Sequence, residues 1–155
     1  MQTADTQAPP EERRFFCTQC GRCCRFDEGY VFLSSQDVAR LADFLRIPPD
    51  EVIQTYCRWV RFGAVEHLSL REQRNHDCIF WKDGGCSVYS ARPVQCQTYP
   101  FWNHILEHPD AWQQESRVCP GIGAGTRYTK ERVEAALLAR QQNAVMVRPA
   151  QGGRF

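Results

Sequence analysis

Eight of the nine cysteines form an ordered series, and four of them are packed into one octet, Cys17-x-x-Cys20-x-x-Cys23-Cys24. The series continues with Cys78, Cys86, Cys96 and Cys119. A short loop turns thiolates at two-residue intervals toward a common point, which is how thiolate ligands gather on one ion or cluster. Such a chain folds around sulfur chemistry, either disulfides or metal. Two features favour metal. The count is odd, which fits a disulfide framework poorly. The first residues, Met1-Gln2-Thr3-Ala4-Asp5-Thr6, lack the basic and apolar regions of a secretory signal. The expected setting is therefore the reducing cytoplasm, where thiols stay free.

The remaining composition narrows the function classes. The chain has 155 residues, 43% hydrophobic and 24% charged, enough for one domain with its own core. No apolar run reaches the roughly 18 residues of a membrane span, so no membrane partner is expected. Lys and Arg number 19 against 18 Asp and Glu, a net charge of +1. That balance offers no general basic surface for phosphates, and no nucleic-acid partner is expected. Arg13, Arg14, Arg22 and Arg25 flank the octet, either as counter-charges to thiolates or as a solvated surface.

The fold class read from the pattern is α+β, a small irregular metal-stabilised domain with short helices and a β-hairpin around the cysteine cluster. Residues 1–14 read as a flexible tail, 15–142 as the cysteine-cluster domain and 143–155 as a second tail. Tyr30 to Leu33 reads as a short strand. Ser34-x-x-Asp37 is a capping-box pattern ahead of Val38, Leu41, Ala42 and Leu45, predicting a helix over 35–46. A second helix is expected from Pro49, with Val52, Ile53, Tyr56 and Val60 as its stripe. Val65 to Leu70 is a strand candidate. Asp83-Gly84-Gly85 predicts a hairpin between the segments that carry Cys78 and Cys86. A helical turn should carry Cys96, a short helix should start at Pro109, and Thr129 should cap a last helix to about 142.

Adjacent side chains diverge, so Cys23 and Cys24 are expected to serve different sites, or one site with a spare thiol. Cys17, Cys20 and Cys23 are spaced like the first three ligands of bacterial ferredoxins, whose remote fourth ligand precedes a proline, as Cys119 precedes Pro120. This assigns Cys17, Cys20, Cys23 and Cys119 to an iron–sulfur cluster, the preferred cofactor. Zinc is the alternative: Cys17-x-x-Cys20 is half a zinc knuckle, Cys78 and Cys86 supply a second pair, and two four-cysteine sites would use all eight thiols. His76 is a candidate nitrogen ligand, although a loop histidine is more often simply exposed. His67, His104 and His108 lack ligand spacing. Cys57, on the apolar face of the second helix, reads as a small buried hydrophobe. Trp59, Trp81 and the run Tyr99-Pro100-Phe101-Trp102 are candidates to shield a cluster, or plain core. No Ser/His/Asp arrangement stands out. Gly121-Ile122-Gly123-Ala124-Gly125 lacks the preceding strand of a dinucleotide loop.

The segment Phe15-Phe16-Cys17-Thr18-Gln19-Cys20-Gly21-Arg22-Cys23-Cys24 resembles the signature of the CxxCxxCC cysteine-cluster family. The resemblance continues through Cys78-Ile79-Phe80, Gly85-Cys86-Ser87-Val88-Tyr89, Arg92-Pro93-Val94-Gln95-Cys96 and Tyr99-Pro100-Phe101 to Cys119-Pro120-Gly121-Ile122-Gly123. Gln97 departs from it, since relatives often carry arginine there. The resemblance implies a zinc- or iron-chelating domain. The flagellin lysine methylases resemble the family and use an iron–sulfur cluster, which implies iron over zinc and leaves catalysis open. The expectation is a metal-binding protein with a redox role. Its alternatives are a zinc-stabilised interaction domain, or an iron–sulfur-dependent enzyme of the methyl-transfer or oxidoreductase type. A redox or protein partner is left unnamed.

Overall fold

The computed structural model describes residues 13–152. Most of the expected N-terminal tail, 1–12, lies outside the described residues, as do 153–155. The architecture is mixed α+β, with six short helices and small antiparallel sheets among the described residues.

Helix α1 (Ser35–Leu45) begins with the capping box read from the sequence. The Ser34 hydroxyl accepts from the Asp37 amide, and the Asp37 carboxylate accepts from the Ser34 amide, each at 3.0 Å. Two orphan amides of the first turn are thereby satisfied. Arg46, in the left-handed region at φ 57°, ends the helix. Helix α2 (Pro49–Tyr56) starts on Pro49, whose missing amide costs nothing at that position.

The helix stripe expected to run through Val60 stops one turn early. Cys57 is extended, with φ −117° and ψ 161°, and opens strand β2 (Cys57–Phe62). Arg71 explains the stop. Its amide donates to Tyr56 O at 2.8 Å, and its guanidinium donates to Cys57 O at 2.6 Å and Gln54 O at 2.9 Å. These bonds take up carbonyls that a longer helix would have used, and the alternating Trp59, Val60 and Phe62 suit a strand.

Strand β2 pairs antiparallel with β3 (Val65–Leu70), Cys57 opposite Leu70. The other edge of β3 is covered twice. Val31 and Leu33 run beside it through bonds from Leu70 N to Val31 O (2.9 Å) and Leu33 N to Leu68 O (3.0 Å). A late strand pairs with Val65, Glu66 and His67. That strand (Val147–Pro149, called β7 below) corrects the expected tail from 143, because the chain returns to the sheet and Met146 packs on the main core. Arg14, expected in the first tail, is also ordered in a strand, β1 (Arg14–Phe15). The expected hairpin is present but short: β4 (Trp81–Lys82) and β5 (Gly85–Cys86).

The main core gathers Leu33, Leu41, Val52, Leu68, Phe80 and Val88 between α1, α2 and the sheet. A smaller core joins Tyr99, Ile105, Cys119 and Ile122 with Phe15, Trp102 and Trp112. It lies among α3 (Val94–Gln97), α4 (Asn103–Leu106) and α5 (Pro109–Val118). Strand β6 (Thr126–Arg127) pairs with β1, and α6 (Lys130–Gln142) follows, with Thr129 accepting from Arg132 N at its cap. Asp37 ties the parts together. Fully buried, it accepts from Arg40, from Val94 N at 3.0 Å and from Asn143 Nδ2 at 2.8 Å.

Candidate metal centre

Each thiol reaches the site on a different support. Strand β1 delivers Cys17, and its bond partners beyond Cys119 close the circle: Phe16 N donates to Gly121 O at 3.0 Å, and Phe15 bridges to Ile122. Gly121 has to be glycine here, since a Cβ would stand 2.1 Å from Phe16 O. The octet then turns at Gly21, which has φ 80° and faces the Trp81 ring at a distance where a Cβ would be 2.5 Å away. Cys24 O accepts from Cys78 N at 2.7 Å, and Arg25 pairs with Asp77 at 3.1 Å. Those bonds dock the octet on the strand segment that carries Cys78. Cys86 lies in β5, opposite Trp81.

Cys96 is on α3, placed by its neighbour. The buried Gln95 amide accepts from Phe32 N at 3.0 Å and donates to Tyr30 O at 2.8 Å, like one more strand residue. Cys119 caps α5, with its amide on Glu115 O at 2.9 Å. Tyr99 lies beside it, its hydroxyl donating to Glu115 at 2.5 Å, and the Tyr99–Pro100 bond is cis.

All eight cysteines of the series line one cavity of about 500 Å³. Four of them, Cys23, Cys24, Cys78 and Cys96, also line an adjoining cavity of about 320 Å³, so they form the wall between the two. Cys17, Cys20, Cys86 and Cys119 line the first cavity alone. All nine cysteines are free thiols.

The expected divergence of Cys23 and Cys24 is not what the chain does. Their sulfurs are 3.7 Å apart and face the same cavity. A tetrahedral ion with bonds of about 2.3 Å to sulfur has a sulfur–sulfur edge of about 3.8 Å, so this pair is spaced as two ligands of one ion would be. Among the described residues no three His, Cys, Asp or Glu side chains form a group spaced to hold an ion.

The thiols sense one another. The hydrogen bond from Cys24 draws Cys23 down to about 7, against burial. The same bond, then burial, then the charges of Cys23, Cys96 and Cys78 push Cys24 up. Burial first, then neighbouring thiols, pushes Cys78 up to about 11 and Cys96 and Cys86 up as well. Arg92 opposes this at Cys23, Cys86 and Cys96. Cys17, then burial, raises Tyr89, and Tyr99 is raised by burial, by Glu115 and by Cys119. Crowded, half-buried thiols that repel as thiolates are what a thiophilic cation relieves. In its chemistry, though not in the spacing of its sulfurs, the donor set suits zinc or iron.

Other expected residues separate. His76 is paired with Glu72 at 3.6 Å and lines only the adjoining cavity. Cys57 lines neither cavity and is 2% exposed in the main core. Trp81 and Tyr99 line the thiol cavity, Trp102 lines the adjoining one, and Trp59 and Phe101 line neither. Of the flanking arginines, Arg22 lines the thiol cavity, while Arg14 bonds Gly125 O and Arg13 stacks on Trp112. Arg92 and Arg132 also line the cavity and were not singled out from sequence. Only the pairing of Tyr128 with Arg132 one helical turn later could have hinted at the second.

No helix among the described residues is long and apolar enough to cross a membrane. No solved structure matches the chain. An uncharacterised protein of Methanocaldococcus jannaschii is 34% identical over 89 residues, covering 56% of this chain and 44% of that relative. The chain therefore spans less than half the length of that relative. The model of the CxxCxxCC family, described as a "Putative zinc- or iron-chelating domain", matches residues 16–120, and the chain belongs to that family.

Proposed function

We propose that this chain is a cytoplasmic metal-binding protein whose thiol cavity holds iron as an iron–sulfur cluster and serves a redox role. The observation that carries the reading is the convergence of all eight cysteines on one cavity from five separate stretches of chain. Metal ligation accounts for such a gathering of free thiols, and the family's description as zinc- or iron-chelating agrees. Spacing favours Cys17, Cys20, Cys23 and Cys119 as the ligands of the cluster. The shared wall between the cavities favours Cys23, Cys24, Cys78 and Cys96, which also act on one another electrostatically. Cys23 is common to both sets. When bound, a cluster supplies one-electron exchange. The chain's own part is to place the thiols, to offset their charge with Arg92, and to keep water back with Trp81 and Tyr99.

Zinc is the second reading, and one observation favours it: the 3.7 Å separation of the Cys23 and Cys24 sulfurs matches two ligands on a single tetrahedral ion. Anaerobic purification with visible absorption, elemental analysis and sulfide assay separates the two. Brown protein with iron and sulfide supports the cluster. Colourless protein with stoichiometric zinc moves the conclusion to a structural module. Cys96→Ser and Cys119→Ser then distinguish the ligand sets by which variant loses the metal. A metal-free protein with an unchanged melting temperature would overturn both readings.

A further inference from the structure

Thiolate ligation leaves much of the cavity unexplained. Its volume, about 500 Å³, lies in the range of about 300–1,000 Å³ typical of small-molecule sites, well beyond what a closed metal site needs. Its lining includes three arginines, Arg22, Arg92 and Arg132, and no aspartate or glutamate. Scarcity of acids is not the reason, because the chain carries 18 of them. Four arginines elsewhere have carboxylate partners: Arg25 with Asp77, Arg40 with Asp37, Arg58 with Glu72 and Arg148 with Glu66. Among the described residues the three cavity arginines have no carboxylate partner. They stack instead on rings, Arg22 on Phe26 at 5.2 Å, Arg92 on Tyr89 at 3.7 Å and Arg132 on Tyr128 at 4.2 Å. A stacked guanidinium keeps its in-plane N–H donors at the edge, free for a carboxylate or phosphate.

The three do not share one task. Arg92 is partly buried, bonds Tyr89 O at 2.8 Å and acts on the thiols. Arg22 and Arg132 are exposed and also line the cavity. The rings of Phe16, Tyr89 and Tyr128 line the same cavity.

We propose that the cavity binds a small organic anion beside the thiols, a carboxylate or phosphate monoester with a planar apolar body, with its acid group on Arg22 and Arg132 and its body against the rings of Phe16, Tyr89 and Tyr128. It rests on the metal reading only in placing this ligand next to a metal. The anion site itself needs arginines and rings alone.

Isothermal titration of the metal-loaded protein, kept anaerobic, tests it with benzoate, phenyl phosphate and the neutral control benzyl alcohol. At least one acid should bind, the alcohol should not, and added salt should weaken binding. Arg132→Gln and Arg22→Gln should each weaken it about tenfold or more, the worth of a charge-assisted bond, at unchanged metal content. Arg132→Lys, which keeps the charge, should lose less. The proposal is overturned if neither acid binds protein of full metal content, or if both glutamine variants bind as tightly as the wild type. If the purified chain takes up no metal yet binds the acids in an arginine-dependent way, the anion site stands and the metal reading falls.

Discussion

At the scale of single residues, stability is concentrated where a buried polar group serves several elements. Asp37 caps α1, receives the first amide of α3 and holds Asn143 after α6. Asp37→Ala removes a capping box worth about 1 kcal/mol and strands buried donors at about 1–3 kcal/mol. A loss of about 3 kcal/mol in chemical unfolding is expected, and a loss below about 1 kcal/mol would show that water replaces the carboxylate. Cys57 makes the opposite case. Cys57→Ala removes one small buried group at a cost of about 1 kcal/mol, and metal content should not change. Its titration has a sign that can be checked. Burial raises the folded thiol from 9.0 to about 12, so the fold favours the protonated form. That contribution is complete below pH 9 and is lost as pH rises from 9 toward about 12. The Cys57→Ala protein should therefore lose less stability than the wild type over that window, measured by unfolding at a series of alkaline pH values.

At the scale of elements, the octet loop and the last strand depend most on distant partners. The octet has little backbone bonding of its own beyond Cys24 N to Gly21 O at 2.9 Å. It is held by Cys78, by Asp77 and by Trp81 against Gly21. Gly21→Ala meets both a positive φ and the Trp81 ring, so metal uptake should fall while the helices, remote from Gly21, keep their far-ultraviolet signal. Strand β7 was unexpected because Val147-Arg148-Pro149 has no periodicity to read. Only the free edge of β3 makes it a strand, together with bonds from Leu68 N to Met146 O (2.9 Å) and Met146 N to Leu33 O (2.8 Å). Ending the chain after Asn143 exposes that edge and removes Met146 from the core. It should cost about 2–5 kcal/mol and promote association of the exposed strands, visible in size-exclusion chromatography.

At the scale of the whole molecule, the cavity brings together eight thiols, of which Cys24, Cys78, Cys86 and Cys96 resist ionising. Metal must displace protons from them, so apparent affinity should rise with pH, and binding should release protons into a weakly buffered solution. The raised thiols of Cys78, Cys86 and Cys96 set the direction. Because the octet and the hairpin meet at that cavity, metal binding contributes folding free energy. Chelation, or Cys20→Ser, should lower the melting temperature or leave the protein insoluble.

By itself the sequence determined the local physics and the inventory. Ser34 and Asp37 announced α1, Pro49 opened α2, Thr129 capped α6, and Asp83-Gly84-Gly85 marked the hairpin, because caps and turns are decided by neighbours a few residues apart. Eight ordered cysteines announced thiol chemistry. Tertiary structure alone decided the rest. Arg71 cut the second helix at Tyr56 and sent Cys57 into a strand, a contest between helix and sheet for the same carbonyls that no local pattern records. It turned the sulfurs of Cys23 and Cys24 toward one cavity, since the loop's bend at Gly21 and its docking on Cys78 override the usual divergence of adjacent side chains. It also brought Arg132 on the last helix to the same cavity as Arg22 in the octet, because a site's charge is set by which distant walls the cores press together.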